Sequence, residues 1–300
     1  MTWQGIFPSI PTAFTRDGDV DPDAQRRIVR FAVDRGSHGL LCFGLAGEVL
    51  RLAPDERIRL CHAIVEEANG AIPVLVGASG ESEHTSRKLA RAAERAGAAG
   101  IVLPVPTGGH VSRPLLAEYF ARVAEAVSIP VMIQDAPEYL GVSIGPELVR
   151  ALADRLPHVA YVKLEVGPQG IREWRDAVGD GIGVFGGNGG VYLLDCIRAG
   201  AAGIAPALDV VDVLVAIYAA EVAGDRERAD RLFRATLPLL VFEMQDIDHC
   251  NLCAKNVLAR RGVELETSLR PPGPSLSADA AALLDAYLET LPLAELAAAR

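Results

Sequence analysis

The chain has 300 residues, with 29 Lys plus Arg against 39 Asp plus Glu, so its formal net charge is −10. This acidic balance argues against nucleic acid and anionic membrane surfaces as partners, because both require a basic face on the protein. Half of the residues are hydrophobic and 23% are charged, which is typical of a folded globular protein and not of a disordered one.

A strand followed by a helix recurs along most of the chain. The first strand is predicted over Ile6 to Phe14, and the first helix over Pro22 to Asp34 with Asp21 as its N-cap. Seven further units follow, with strands near residues 39–43, 72–76, 100–103, 130–133, 159–163, 183–185 and 202–205, and helices near residues 54–68, 82–96, 113–127, 145–155, 169–178, 190–198 and 211–222.

The strands are apolar throughout, which indicates a parallel sheet that is covered on both faces. Eight such units predict an α/β protein with a (β/α)8 TIM barrel. A doubly wound open sheet is the alternative, but it would usually carry a glycine-rich dinucleotide turn after the first strand, and residues 11–14 do not form one.

Beyond Asp225 the pattern changes to helices alone, which are predicted over residues 226–242, 248–261 and 278–291. We therefore expect a barrel domain over residues 1–224 and a C-terminal three-helix extension over residues 225–300.

The cysteines and the start of the chain bear on location and metal content. The five cysteines are odd in number and scattered in spacing, which indicates reduced thiols in a cytoplasmic protein. No apolar run reaches the ~18 residues that span a bilayer, and the first seven residues do not resemble a secretory signal. Cys250 and Cys253 lie one helical turn apart with no second ligand pair, so we expect packed thiols and no metal.

Lys163 ends the sixth strand, and the active site of such a barrel lies where the strands end. It is one of only three lysines among 29 basic residues. With a period of two, Val159, Tyr161 and Lys163 share one face, which points Lys163 into the barrel mouth. Burial there disfavours the ammonium form and supplies the neutral amine that imine formation requires. The alternative is a structural lysine that reaches an ion pair with Glu165.

Two glycine-containing turns follow the second and seventh strands. The 44–48 turn, GLAGE, can hold a carboxylate on consecutive N–H groups, although an ordinary tight turn fits the pattern equally well. The 186–190 turn stands where such barrels often bind phosphate, but no lysine is nearby and glycines alone are a weak signal.

In order and spacing, these features resemble the dihydrodipicolinate synthase/N-acetylneuraminate lyase family over roughly residues 5 to 262. The resemblance implies that Lys163 forms a Schiff base with a small 2-oxo acid, that no cofactor takes part, and that the protein is a homo-oligomer, either a dimer or a tetramer. The segments that carry it are Thr12-Ala13-Phe14 with Asp17-Gly18, the GLAGE turn in place of G-T-T-G-E, the strand end Tyr161-Val162-Lys163, Pro137 and Gly187.

The chain departs from the family where the synthases carry their proton shuttle. The family's fifth strand normally ends Y-N-x-P with a shuttle tyrosine, and Gln134 takes that position here. Leu45 and Ala46 replace the two hydroxyl residues of the second turn. Residues 106–109 (PTGG) replace an aromatic pair, and residues 138–139 (EY) occupy the usual place of an arginine. We therefore expect negligible dihydrodipicolinate synthesis.

The features that do match the family predict a Schiff-base class I lyase for pyruvate or a longer 2-oxo acid. It would act as aldolase or dehydratase of a 2-keto-3-deoxy sugar acid. Three alternatives stay open: an impaired paralogue that binds a small carboxylate, a true 4-hydroxy-tetrahydrodipicolinate synthase, and an enzyme with a phosphate site after the seventh strand. The substrate carboxylate is expected on the N–H groups of Ala46 and Gly47. The predicted catalytic residues are Lys163, with Glu165 or Asp135 moving protons through water, and the predicted substrate-binding residues are Thr12, Leu45, Ala46, Gly47, Gln134, Gly187 and Pro206.

Overall fold

Eight parallel strands form a nearly closed barrel in the structure, a computed structural model that describes residues 2–106 and 112–293. The strands are β1 (Gly5–Ile6), β2 (Leu40–Cys42), β3 (Val74–Gly77), β4 (Gly100–Pro104), β5 (Val131–Asp135), β6 (Val159–Leu164), β7 (Gly183–Gly186) and β8 (Gly203–Ile204). Their order in the sheet is β1-β8-β7-β6-β5-β4-β3-β2. The predicted (β/α)8 barrel is therefore confirmed.

The helices lie close to their predicted positions. Asp21 caps the first of them, because its Oδ1 accepts from the N–H groups of Asp23 at 3.1 Å and Ala24 at 2.9 Å. The helices are α1 (Pro22–Asp34), α2 (Pro54–Ala68), α3 (Glu83–Ala96), α4 (Arg113–Ala124), α5 (Pro137–Leu140), α6 (Pro146–Arg155), α7 (Pro168–Val178), α8 (Leu193–Arg198), α9 (Val211–Val222), α10 (Arg226–Glu243), α11 (Ile247–Arg260) and α12 (Ala278–Thr290).

The first strand is much shorter than predicted. Pro8 and Pro11 have no N–H to donate to a sheet ladder, so regular pairing ends after Ile6. The segment that follows closes the barrel instead, because Leu41 N donates to Pro8 O at 2.8 Å and Ile10 N donates to Leu41 O at 2.9 Å.

Two hydrophobic clusters lie on opposite faces of the sheet. The outer cluster packs between the strands and the helices, and the inner cluster fills the barrel with side chains that include Trp3, Phe7 and Phe185. Tyr161 belongs to the inner cluster, where it stacks on Trp3 with ring centroids 4.4 Å apart and its hydroxyl accepts from Trp3 N at 2.9 Å. Tyr161 therefore fills the barrel and its hydroxyl is already engaged.

Val159 lies in the outer cluster, so the prediction that it shares a face with Tyr161 and Lys163 is wrong. The cause is a register shift between β5 and β6, where Val131 pairs with Val159 while Met132 pairs with Tyr161, leaving one residue of β6 unpaired. Lys163 still points inward, because it follows Tyr161 by two residues beyond the irregularity.

The C-terminal helices share the outer hydrophobic cluster with the barrel. Leu232 and Leu240 of α10 and Leu258 of α11 are buried in it. The connection between these two helices also reaches the barrel mouth, where Met244 and Ile247 line a cavity. Within residues 2–106 and 112–293, no helix combines the length and apolar character needed to cross a membrane.

Candidate active site

A cavity of about 230 Å³ opens at the carboxyl ends of the strands. The segment after β2, the ends of β5 and β6, the loop after β8 and the α10–α11 connection all contribute to its walls. The cavity has a polar side lined by Gln134, Tyr139, Lys163 and Glu165, and an apolar side lined by Leu45, Val49, Leu52, Leu140, Met244 and Ile247.

Lys163 lies in the wall of this cavity with 6% of its surface exposed. Its neighbour in the sheet register is Gln134 on β5, which occupies the family's tyrosine position. The Lys163 ammonium donates to the Glu165 carboxylate. Both interpretations of Lys163 therefore find support, since the side chain faces the barrel mouth and also forms the ion pair with Glu165.

The Glu165 carboxylate is buried, with 8% of the residue exposed, and it accepts hydrogen bonds from several donors. Its Oε1 accepts from Lys163 Nζ and from Gln134 Nε2, the latter at 3.3 Å. Its Oε2 accepts from the Asn188 N–H at 2.5 Å. A carboxylate held by three donors from β5, β6 and the β7 loop has a fixed orientation beside the lysine nitrogen.

Gly187 gives the Glu165 carboxylate its space. A Cβ at this position would stand 2.1 Å from Glu165 Oε2, so no larger residue fits beside the carboxylate as it is placed. Gly187 itself is not among the cavity-lining residues. Because the Asn188 N–H is already bound to a carboxylate, the 186–190 turn is also poorly suited to a phosphate.

The Gly47 N–H was expected to bind the substrate carboxylate, but the 44–48 turn engages it otherwise. It donates to Gly44 O at 2.9 Å inside the turn and is not free for a substrate carboxylate. The Thr12 hydroxyl donates to Gly47 O at 2.6 Å, so Thr12 braces the turn from behind and does not line the cavity. Among the hydrogen bonds of the described residues, none uses the N–H groups of Leu45 and Ala46, and both residues line the cavity.

Asp135 is also placed differently from the expectation. Its carboxylate accepts from the Ser143 hydroxyl and from the Ile144 N–H, both at 3.1 Å, and the residue is not part of the cavity wall. Asp135 therefore fixes the loop before α6, whereas Glu165 is the acidic residue beside Lys163. Pro206, which was predicted to bind substrate, lies after β8 and lines the cavity.

Tyr139 lies in the cavity wall at the third position of α5. Burial, followed by the charges of Glu165 and Glu138, raises the pKa of its hydroxyl above the ordinary value of 10. Cys250 lines the same cavity, and burial raises the pKa of its thiol well above the ordinary value, so it stays protonated.

Arg57 closes the opposite end of the cavity. Its guanidinium donates to Ser79 O at 2.7 Å and to Gly77 O at 2.6 Å, and burial lowers its pKa to about 10. Its donors thus serve the backbone at the ends of β3 and the following loop. Residues 107–109, which replace the family's aromatic pair, lie outside the described residues.

Sequence reasoning missed the groups that hold the 44–48 turn against α11. Lys255 is fully buried and donates to the Glu48 carboxylate and to Ser268 O, the latter at 3.0 Å. Asn251 Nδ2 donates to Leu45 O at 3.1 Å. The rarity of lysine in this chain was the one signal that pointed to Lys255, but its partner lies 207 residues away.

The cysteines carry no metal cluster in the part of the chain that the structure describes. All five are buried free thiols, and no group of three or more metal-binding side chains occurs among these residues. Cys250 and Cys253 pack inside α11, as predicted from their spacing.

Comparison with known proteins places this geometry in a family. The family model described as "Dihydrodipicolinate synthetase family" matches residues 2–291. L-2-keto-3-deoxyarabonate dehydratase of Azospirillum brasilense is 32% identical over 96% of this chain and 94% of its own length. A 4-hydroxy-tetrahydrodipicolinate synthase of Pelobacter propionicus is 29% identical over 95% of this chain and 99% of its own length.

A further relative, YagE of Escherichia coli, is named a putative 2-dehydro-3-deoxy-D-gluconate aldolase and is 33% identical over 53% of each chain. Its crystal structure in complex with pyruvate matches this chain with a TM-score of 0.91 and 26% identity, over 98% of this chain and all of that one. Dehydratases, aldolases and synthases of this kind are lyases. The barrel, the matched length and these relatives agree, and the chain belongs to the dihydrodipicolinate synthetase family.

Proposed function

We propose that this chain is a class I lyase in which Lys163 forms a Schiff base with the ketone of a 2-oxo acid. The observation that carries the proposal is the buried contact between the Lys163 nitrogen and the Glu165 carboxylate in the cavity wall. The carboxylate takes a proton from the ammonium group, and the neutral amine then attacks the ketone carbon. The same proton returns to the leaving oxygen of the carbinolamine, so Glu165 acts as base and then as acid.

The substrate carboxylate fits the 44–48 turn. The N–H groups of Leu45 and Ala46 begin a short helical turn, and the positive end of such a turn suits an anion. Neither side chain has a hydroxyl, so the anion is held by the backbone alone. Gln134 donates to Glu165 and thereby orients the acid–base group, in the position where the family has a proton-shuttling tyrosine.

Within this class, dehydration of a 2-keto-3-deoxy sugar acid is the reaction that we favour. The protonated imine acidifies C3, and Glu165 stands beside the imine nitrogen, where it can remove the C3 proton. The enamine that results expels the C4 hydroxyl. Aldol cleavage instead needs a base at the C4 hydroxyl, and Gln134 cannot serve as one. The relative from Azospirillum brasilense, which matches over nearly the whole of both chains and is named a dehydratase, supports the same choice.

Aldol cleavage is the second candidate, because YagE has been captured with pyruvate and is named a putative aldolase. The two reactions differ in their products. The purified protein is incubated with L-2-keto-3-deoxyarabonate, and pyruvate release is followed with lactate dehydrogenase while mass spectrometry follows loss of water. We expect a product that retains every carbon and has lost one water, without pyruvate.

Lys163→Arg is the matched variant for this assay, because arginine keeps the charge but cannot form an imine. We expect it to abolish turnover. Pyruvate as the main product of the unaltered protein would assign the chain to the aldolases, and turnover by Lys163→Arg would contradict the Schiff-base proposal itself.

A further inference from the structure

Elimination of water requires an acid as well as a base, and Gln134 cannot supply the acid. Glu165 holds the C3 proton after the first step, and hydroxide is too poor a leaving group to depart from C4 without protonation. A second proton donor that faces the cavity would protonate the leaving oxygen while Glu165 acts on C3 alone.

Tyrosine hydroxyls are the natural candidates, and those of Tyr119, Tyr139 and Tyr161 belong to residues inside the barrel, at the cavity wall or just behind it. The Tyr161 hydroxyl is bound to Trp3 N at the barrel floor. The Tyr119 hydroxyl contacts Ser86 Oγ at 3.0 Å and Ser79 Oγ at 3.5 Å, behind the cavity wall. Tyr139 lines the cavity itself together with Lys163 and Glu165.

The surroundings of Tyr139 match those of a proton donor. Its hydroxyl has no hydrogen-bond partner among the described residues, and the residue lines the cavity. Burial and the nearby Glu165 charge keep the hydroxyl protonated. It stands on α5, directly after β5, and so approaches the cavity from the β5 side of Lys163.

We propose that Tyr139 is the catalytic acid that protonates the leaving C4 hydroxyl, working opposite Glu165 across the substrate in the same cavity. This assignment rests on the dehydratase proposal. The C3–H bond breaks and its proton goes to Glu165, the C3 electron pair forms the enamine and then the C3–C4 double bond, and the C4–O bond breaks. The Tyr139 hydroxyl gives its proton to the departing oxygen, which leaves as water. After the product leaves, water in the cavity carries the C3 proton from Glu165 to the Tyr139 phenolate, which restores both groups.

The test separates the C3 step from the C4 step. Hydrogen–deuterium exchange at the pyruvate methyl group in deuterium oxide, followed by proton NMR, reports imine formation and C3 proton transfer alone. Elimination is followed with 4-hydroxy-2-oxobutanoate, whose hydroxide needs a proton, and with 4-chloro-2-oxobutanoate, whose chloride does not. Tyr139→Phe is compared with the unaltered protein, and Tyr287→Phe on α12, away from the cavity, is the matched control.

We expect Tyr139→Phe to lose ~10²-fold or more in elimination of water, which is the usual worth of general acid catalysis. Elimination of chloride and methyl exchange should be retained, whereas a merely structural role for Tyr139 would reduce all three readouts together. Equal loss with the hydroxy and chloro substrates, or no loss with either, overturns the assignment. Absence of methyl exchange in the unaltered protein would instead show that the proposed function has failed.

Discussion

Replacing Lys255 with methionine removes the cation of a buried ion pair beside the candidate site. The side chains of Lys255 and Glu48 are both fully buried, and the Lys255 nitrogen also lies 4.8 Å from the centre of the Phe14 ring. Methionine fills similar volume but leaves the Glu48 carboxylate without its main partner. Removal of one member of a buried pair typically costs about 3–5 kcal/mol of unfolding free energy.

The structure places the expected cost near the lower end, at about 3 kcal/mol, because Glu48 keeps other partners. Its Oε2 accepts from the Arg270 N–H at 3.1 Å, and the Arg51 guanidinium lies 4.0 Å away. With an unfolding entropy of ~2.1 cal/mol/K per residue, 3 kcal/mol corresponds to a drop of about 5 °C in Tm for a chain of this length.

Differential scanning calorimetry at fixed protein concentration and scan rate measures this drop. Lys88→Met is the matched control, because Lys88 is exposed on α3, and we expect it to leave Tm unchanged. Glu48→Gln combined with Lys255→Met removes the stranded charge and should recover part of the loss. A Lys255→Met protein that melts with the unaltered one would refute the inference that this pair holds the turn.

Three further predictions concern proton transfer, pH and the synthase reaction. Glu165→Gln should lower turnover by ~10²–10⁴-fold while borohydride still traps some pyruvate, measured by steady-state kinetics and intact mass. Burial raises the pKa of the neighbouring carboxyls of Asp209 and Glu243, which lie near Arg261, Asp212 and Cys250, so the stability that their protonated forms provide is present at low pH and is lost as pH rises through the raised values. Tm should therefore fall as the pH rises above the ordinary carboxyl range, and it should fall less in Asp209→Asn; equal slopes of Tm against pH in the two proteins would contradict this. Synthesis from pyruvate and aspartate semialdehyde should be negligible, and Gln134→Tyr alone should not restore it, because Leu45 and Ala46 also lack hydroxyls; efficient synthase turnover would show that the missing tyrosine does not matter.

Local sequence patterns were sufficient to predict the barrel. Apolar runs at regular spacing mark buried parallel strands, and a capping residue such as Asp21 marks a helix start through interactions that span only a few residues. The same logic placed Lys163 at the barrel mouth, because a strand end and a period of two fix its direction. The first strand was predicted too long because Pro8 and Pro11 interrupt its pairing, and Val159 was placed on the wrong face because β5 and β6 shift in register.

The arrangement of the site could not be predicted from local sequence patterns. Glu165 and Asp135 end neighbouring strands and look equivalent in sequence, yet only Glu165 turns toward Lys163, because Asp135 is bound by the loop before α6. The Gly47 N–H, which was expected to bind the substrate carboxylate, donates inside its own turn instead. Lys255 and Glu48 meet only through the tertiary fold, and no periodic pattern reports such a contact.

Covalent trapping with pyruvate and borohydride tests the central proposal most directly. The chain has only three lysines, so peptide mapping of the reduced adduct is unambiguous. Lys88 is exposed on α3 and Lys255 is buried against Glu48, which leaves Lys163 as the amine that faces the cavity. We predict one reduced pyruvyl group per chain, located at Lys163, retained in Lys88→Arg and lost in Lys163→Arg. An adduct spread over the three lysines, or none at all, would contradict the assignment of this chain as a Schiff-base lyase.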